Sequence, residues 1–169
     1  MKYFSGFCFK EEAVLFEDWL EECDFCVAGF GDGAIKAFEY ALQSETRTDK
    51  LQLFSPNFFQ NKSNIFKKNQ LQQFAKDPDN YCSDFINRAQ YPYFENISEY
   101  RKHNTREALK KALYYVWDEE QIKMLCNQNT VIEVYLGGLD QISDTTATLK
   151  FFTPFADVYF MKKVGHILR

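Results

Sequence analysis

The tightest constraint on this chain is the segment Val27-Ala28-Gly29-Phe30-Gly31-Asp32-Gly33-Ala34, where a short apolar run breaks into three glycines before a helical pattern begins. Residues 25–29 have the length and flanks of a buried strand. Residues 33–42 place Ile35, Phe38 and Leu42 at helical spacing, with Ala34, Ala37 and Ala41 allowing close approach to a sheet. A strand that bends this sharply into a helix suits two tasks. A G-x-G-x-x-G/A turn holds a pyrophosphate against a helix N-terminus, and Gly29, Gly31 and Ala34 fit those letters. A G-x-S-x-G turn lifts a nucleophile above the sheet; Gly29 and Gly33 fit its small flanking positions, and Gly31 stands where the serine belongs.

The flanking sequence sets this turn in an α/β frame. Residues 3–7 read as a strand running into a glycine turn, and residues 11–22 as an amphipathic helix with Val14, Leu15, Trp19 and Leu20 on one stripe. Residues 51–54 form the next strand, stopped by Ser55-Pro56. That is βαβαβ, the pattern of a parallel sheet covered by helices. The strand signal then vanishes, and residues 61–74, 79–89 and 105–117 read as helices broken near Pro78 and Pro92. Strand 131–136, helix 144–152 and strand 157–161 restore the alternation. The expectation is a single domain over residues 1–169, a mostly parallel sheet with helices on both faces, interrupted by a helical insert at 57–127 too long for a plain loop.

Composition narrows the function classes. With 46% hydrophobic residues, 18 of them Phe, the chain can bury a core and is not disordered. A net charge of −4 argues against a general nucleic-acid binder, and no apolar run is long enough to span a membrane. The first residues lack the apolar stretch of a secretion signal, so a cytoplasmic location is expected. Five cysteines, an odd number, then read as reduced thiols; Cys23 and Cys26 have redox-motif spacing, but Cys26 opens an apolar run. No Cys/His group has zinc-ligand spacing, so neither metal nor cofactor is expected. The charge is also uneven: residues 56–111 carry 10 basic and 6 acidic groups, whereas residues 1–55 carry 5 and 11.

The pyrophosphate reading meets obstacles. The turn follows the second strand rather than the first, and the tip of the next strand, Phe54-Ser55-Pro56, lacks the acidic residue that would bind a ribose. Asp32 would set a carboxylate against the phosphates. The nucleophile-turn reading gains support from both ends of the chain. Ser5-Gly6-Phe7 follows a strand, where an oxyanion-binding N–H is donated. Strand 131–136 runs through Gly137-Gly138-Leu139 to Asp140, and Val164-Gly165-His166 follows the last strand. Turn, then Asp, then His is the order of an α/β-hydrolase triad.

On these residues the chain resembles a known family, the short α/β-hydrolases of the BioV type, pimeloyl-acyl-carrier-protein methyl ester esterases of biotin synthesis. The likeness covers essentially the whole chain and is closest in Tyr3–Phe7, Gly29–Ala37, Leu53–Pro56, Gly138–Asp140 and the His166 terminus. It implies an α/β-hydrolase fold with a helical lid, and hydrolysis of the methyl ester of a pimeloyl chain held on acyl carrier protein. It implies roles too: position 31 as nucleophile, Asp140 as orienter of the histidine and His166 as general base, with the N–H groups of Phe7 and Asp32 as oxyanion donors. Several of the insert's many aromatics, from Phe58 to Phe94, would line an acyl slot. Its basic groups Lys62, Lys67, Lys68, Arg88, Arg101, Lys102, Arg106, Lys110 and Lys111 would meet the acidic carrier protein.

The departure is Gly31, which has no hydroxyl to attack an ester. Glycine tolerates the strained backbone of such a turn, so the fold should survive while the chemistry is lost, leaving an inactivated esterase. A noncatalytic carrier-protein-binding homologue is the first alternative, and a nucleotide-binding protein using the glycine turn is the second.

Overall fold

Parallel strands in one sheet cannot be joined by hairpins, so every connection must cross a face of the sheet. The computed structural model, which describes residues 1–94 and 96–169, contains five such strands. They are β1 (Lys2–Phe4), β2 (Cys26–Phe30), β3 (Lys50–Phe54), β4 (Val131–Gly137) and β5 (Asp157–Met161), paired in parallel in chain order. Helix α1 (Asp32–Gln43) carries the chain from β2 to β3, and α6 (Thr145–Phe152) carries it from β4 to β5. Between β3 and β4 lie α2 (Asn64–Lys76), α3 (Pro78–Gln90), α4 (Arg106–Tyr114) and α5 (Glu119–Asn127). Among the described residues, no helix is long and apolar enough to cross a membrane.

The pleat divides the interior into two cores. Leu51 and Leu53 of β3 and Ile132, Val134 and Leu136 of β4 pack with Phe38, Trp117 and Phe152 under the helices. The alternate residues Phe54 and Tyr135 face Phe7, Phe9, Phe16 and the insert residues Phe74, Phe85 and Leu109. Phe16 stacks on Phe54 with ring centroids 4.7 Å apart, and Phe54 stacks on Tyr135 at 4.8 Å.

Two elements differ from the sequence expectation. The amphipathic helix over 11–22 is a single 3-10 turn, Glu12–Phe16, entered through left-handed backbone at Cys8 (φ 61) and Glu11 (φ 54). Glu12 and Leu15, three residues apart as that tighter helix requires, share its buried side, while Val14 is exposed. The expected helix 105–117 stops at Tyr114, and α5 follows it. Asp118 caps α5 by accepting the N–H groups of Glu120 (2.8 Å) and Gln121 (3.1 Å). The expectation of reduced cysteines is also corrected. Cys8 pairs with Cys82 and Cys23 with Cys26, with Cα separations of 5.9 and 5.1 Å, and Cys126 is free. The first pair joins the loop after β1 to α3.

A polar cluster fastens the strap after the 3-10 turn to the sheet. Buried Gln52 accepts the N–H of Glu21 and donates to the Trp19 carbonyl and to Glu133 Oε2, each at 2.8 Å. Lys50 and the Tyr135 hydroxyl also donate to Glu133, again at 2.8 Å. Burial alone would raise the Glu133 carboxyl, but the bonds from Lys50, Tyr135 and Gln52 hold it below the usual carboxylate range. Its stabilising share is therefore present above the unfolded value of about 4.3 and is lost as pH falls through the lower folded value. Glu133→Gln should cost about 1–3 kcal/mol at neutral pH. Denaturant melts should show that deficit shrinking as the wild-type carboxyl protonates in acid.

Candidate active site

The bend after β2 is formed by backbone meeting backbone. Gly31 has φ 58 and ψ −115, a backbone conformation that residues with a Cβ adopt only under strain. Its N–H donates to the Phe54 carbonyl (2.9 Å) and its carbonyl accepts the N–H of Asn57 (3.1 Å), clipping the bend to the tip of β3. A Cβ on Gly33 would overlap the carbonyls of Phe4 and Ser5, and one on Gly29 would overlap the carbonyl of Gly33. The two flanking glycines thus let the start of α1 lie against the exit of β1.

That exit is held by a residue the sequence did not single out. Glu12 is fully buried, and its Oε1 accepts the N–H of Gly6 (2.8 Å) and the Tyr3 hydroxyl (3.2 Å). Burial, with the neighbouring Glu12, pushes the Tyr3 phenol far above its ordinary value, so it stays protonated as a donor. Phe7, expected to donate an oxyanion N–H, follows Gly6 and packs edge-on to Phe85 at 5.3 Å. The surface position of an acidic residue in a pattern read as amphipathic hid Glu12; no sequence signal marked it.

Asp140 and His166 come together from the ends of β4 and β5. His166 Nδ1 lies 2.7 Å from Asp140 Oδ2, with both side chains almost wholly buried. The other Asp140 oxygen accepts the N–H groups of Ile142 (2.6 Å) and Ser143 (3.1 Å). A carboxylate against Nδ1 favours the neutral tautomer with its proton on that nitrogen, in which Nε2 is the acceptor. The imidazole is packed by the rings of Phe30 (centroids 4.8 Å) and Phe85 (6.2 Å), and the next N–H, of Ile167, donates to Ala89 of α3 (3.3 Å). A Cβ built on Gly31 lies 3.5 Å from His166 Nε2 and 3.6 Å from Asn57 Oδ1. Positions 31, 140 and 166 therefore share one site. A hydroxyl at 31, one bond beyond that Cβ, falls within hydrogen-bond reach of a base already oriented by a carboxylate.

The Asp32 carboxylate turns instead to Lys36, one turn along α1, at 2.7 Å. Burial pushes its pKa up, against the pull of Lys36. Asp32 and Lys36 line a cleft of about 640 Å³ between α1 and α4, with Glu107, Lys110 and Lys111 on the far wall. A second, smaller cavity of about 30 Å³ lies under the insert beside Phe7 and Asn57. Of the insert aromatics, Phe59, Phe66, Tyr81 and Phe85 line it, whereas Phe58 packs on Phe151 in the other core and Tyr93 and Phe94 are exposed. Among the described residues, no cluster of His, Cys, Asp or Glu is arranged to hold a metal.

The nine expected basic residues do not form one free surface. Lys68, Lys102, Arg106, Lys110 and Lys111 are exposed. Lys62 pairs with Asp144 (3.3 Å), Arg101 donates to the Asp79 carbonyl (3.0 Å) and Arg88 to the Asp84 carbonyl (3.4 Å). Lys67 corrects the expectation: it is only 6% exposed, its ammonium over the Tyr114 ring at 5.1 Å between packed helices α2 and α4.

A parallel sheet with an acid after one strand, a histidine after the last and a glycine-flanked bend before α1 defines the α/β-hydrolase fold, and this chain has it. Solved structures agree on that fold. The naproxen esterase of Bacillus subtilis superposes with TM-score 0.56 at 17% identity, over 85% of this chain and 53% of that one. A hydrolase from Oleispira antarctica gives 0.64 at 11% identity, over 85% and 58%. BioG from Haemophilus influenzae gives 0.58 at 11% identity, over 98% of this chain and 87% of its own. The chain thus spans little more than half the length of the first two. No protein-family model and no curated protein matches the sequence.

Removing the buried anchor should loosen the loop that carries Phe7. Glu12→Ala leaves the Gly6 N–H and the Tyr3 hydroxyl unpaired, at a cost of about 1–3 kcal/mol in a melt. Amide hydrogen exchange at Gly6 should accelerate by more than the global loss of stability explains.

Proposed function

We propose that this chain is a carboxylic ester hydrolase by descent, of the pimeloyl-acyl-carrier-protein methyl ester esterase type, carrying Gly31 in place of its nucleophile. The observation that carries the reading is the 3.5 Å between His166 Nε2 and a Cβ at position 31, with Asp140 at 2.7 Å on the other ring nitrogen. With a serine at 31, its Oγ attacks the ester carbonyl as His166 takes the proton. The N–H groups of Phe7 and Asp32 receive the carbonyl oxygen, and the imidazolium returns the proton to departing methanol. Water then releases the acid from the acyl-enzyme by the same sequence. With Gly31 no acyl-enzyme can form.

The cavity beside Phe7, at about 30 Å³, has room for a water but not for a seven-carbon chain, so a chain bound there would need the insert helices to part. The exposed lysines of α2 and α4 favour an acidic carrier protein as the donor of that chain. Gly31 also favours a second reading, a homologue that binds the carrier without turnover. The nucleotide reading loses its basis, since the Asp32 carboxylate sits at the helix N-terminus where phosphates would lie.

Gly31→Ser decides between the first two. Its Cβ makes only ordinary contacts, and the positive φ should cost about 1–3 kcal/mol of stability. Release of methanol from methyl-pimeloyl carrier protein, abolished again by His166→Ala, supports the esterase; tight binding without release supports the module. Charge reversal at Lys68, Lys110 and Lys111 should slow carrier association at low salt by roughly tenfold or more, with little change in dissociation. Stopped-flow association rates against salt concentration check this.

A further inference from the structure

The site contains one polar group that the proposed esterase chemistry does not use. Asn57 follows the Ser55-Pro56 stop after β3, is 2% exposed, and its Oδ1 has no hydrogen-bond partner among the described residues. A buried amide oxygen left unpaired costs free energy, and native proteins satisfy such groups, often with an ordered water. The nearest atoms to the space a side chain would take at Gly31 are His166 Nε2, at 3.5 Å, and this oxygen, at 3.6 Å. The amide oxygen accepts, Nε2 accepts in the tautomer that Asp140 favours, and a water is the small molecule that donates to two acceptors at once. Asn57 also lines, with Phe7 and Phe85, a cavity of about 30 Å³ under the insert, enough to supply a water to the amide, although Gly31 and His166 do not line it.

We propose that Asn57 and His166 hold a water in the space beside Gly31 and use it to hydrolyse esters directly, in a single displacement without an acyl-enzyme. This rests on the esterase reading above and deepens it: the substrate class is unchanged, but the nucleophile comes from solvent. The water oxygen bonds to the ester carbonyl carbon while one of its protons passes to His166 Nε2. The carbonyl π electrons move to the oxygen, which the Phe7 and Asp32 N–H groups receive. Collapse re-forms the carbonyl and breaks the bond to the alcohol oxygen, which leaves with the proton from Nε2. One ester and one water give one acid and one alcohol. Asn57 accepts the second water hydrogen and so aims a lone pair at the carbonyl. Asp140 holds the ring, as it would for a serine.

The test uses the intact chain and p-nitrophenyl butyrate as probe. Wild type should exceed the uncatalysed rate by up to roughly 10³–10⁴-fold. It should show no burst, and no acyl adduct by mass spectrometry after acid quench. His166→Ala should lower this rate by about 10²-fold. Gly31→Ala, whose methyl carbon takes the water's place, should fall to the same level, and Asn57→Leu should lose at least about tenfold with Asn57→Ser recovering part of it. Thermal melts check that each variant is folded, and the Asn57 pair reads the proposal independently of backbone strain at position 31. Gly31→Ser should show a burst and an acyl adduct. If Gly31→Ser turns over but wild type does no better than His166→Ala, the water mechanism is wrong and the esterase reading stands. If Gly31→Ala or Asn57→Leu keeps the wild-type rate, the mechanism is likewise overturned. If neither wild type nor Gly31→Ser hydrolyses ester, the esterase reading fails and takes this inference with it.

Discussion

Backbone lies directly on backbone at the bend between β2 and α1, and the geometry of the site follows from that contact. Because neither Gly29 nor Gly33 has a Cβ, the first turn of α1 packs against the Phe4 and Ser5 carbonyls at the exit of β1. The same bend bonds to β3 through Gly31 and Asn57. Three strand ends are thereby gathered, and the loop carrying Phe7, the residue at 31 and the Asn57 side chain are fixed relative to one another. A methyl group at 29 or 33 would push these parts away from each other, because no flexible side chain is available to yield.

Buried charge around this frame is handled locally, and in different ways. Glu12 takes a backbone N–H and a phenol on Oε1, while its buried Oε2 has no hydrogen-bond partner among the described residues. Asp140 takes two backbone N–H groups on one oxygen and an imidazole on the other, which locks the ring by hydrogen bonds rather than by packing alone. Asp32 sits at the positive end of α1 and pairs with Lys36, yet burial keeps its pKa raised. Glu133 takes donors from Lys50, Tyr135 and Gln52, which outweigh its burial and hold its pKa below the usual range.

Much of the fold was legible. The strands and α1, α3 and α6 lie within a few residues of where apolar spacing and Gly/Pro punctuation put them, because those patterns record burial on a sheet or along a helix stripe. The connection over 11–22 was misread for the same reason: a buried Glu12 counts as polar in any periodicity. The break at residues 115–117 was missed although Asp118-Glu119-Glu120 carries a helix-start signature. Lys67 reads as a surface cation because the letters display its charge and not the Tyr114 ring over which its buried ammonium lies.

The sequence by itself determined the order of the pieces: a glycine bend after the second strand, an aspartate at a strand tip, a histidine near the C-terminus and a helical insert between. These are local properties, set by which backbone angles and which periodic faces each residue type permits. Only the tertiary structure decided that Asp140 and His166 meet at hydrogen-bond distance, that Nε2 faces position 31, that Asn57 shares that space, and that Glu12 anchors the neighbouring loop. Those relations join residues as far apart in the chain as Gly31 and His166, and they exist only once the parallel strands have brought their C-terminal ends to one edge of the sheet.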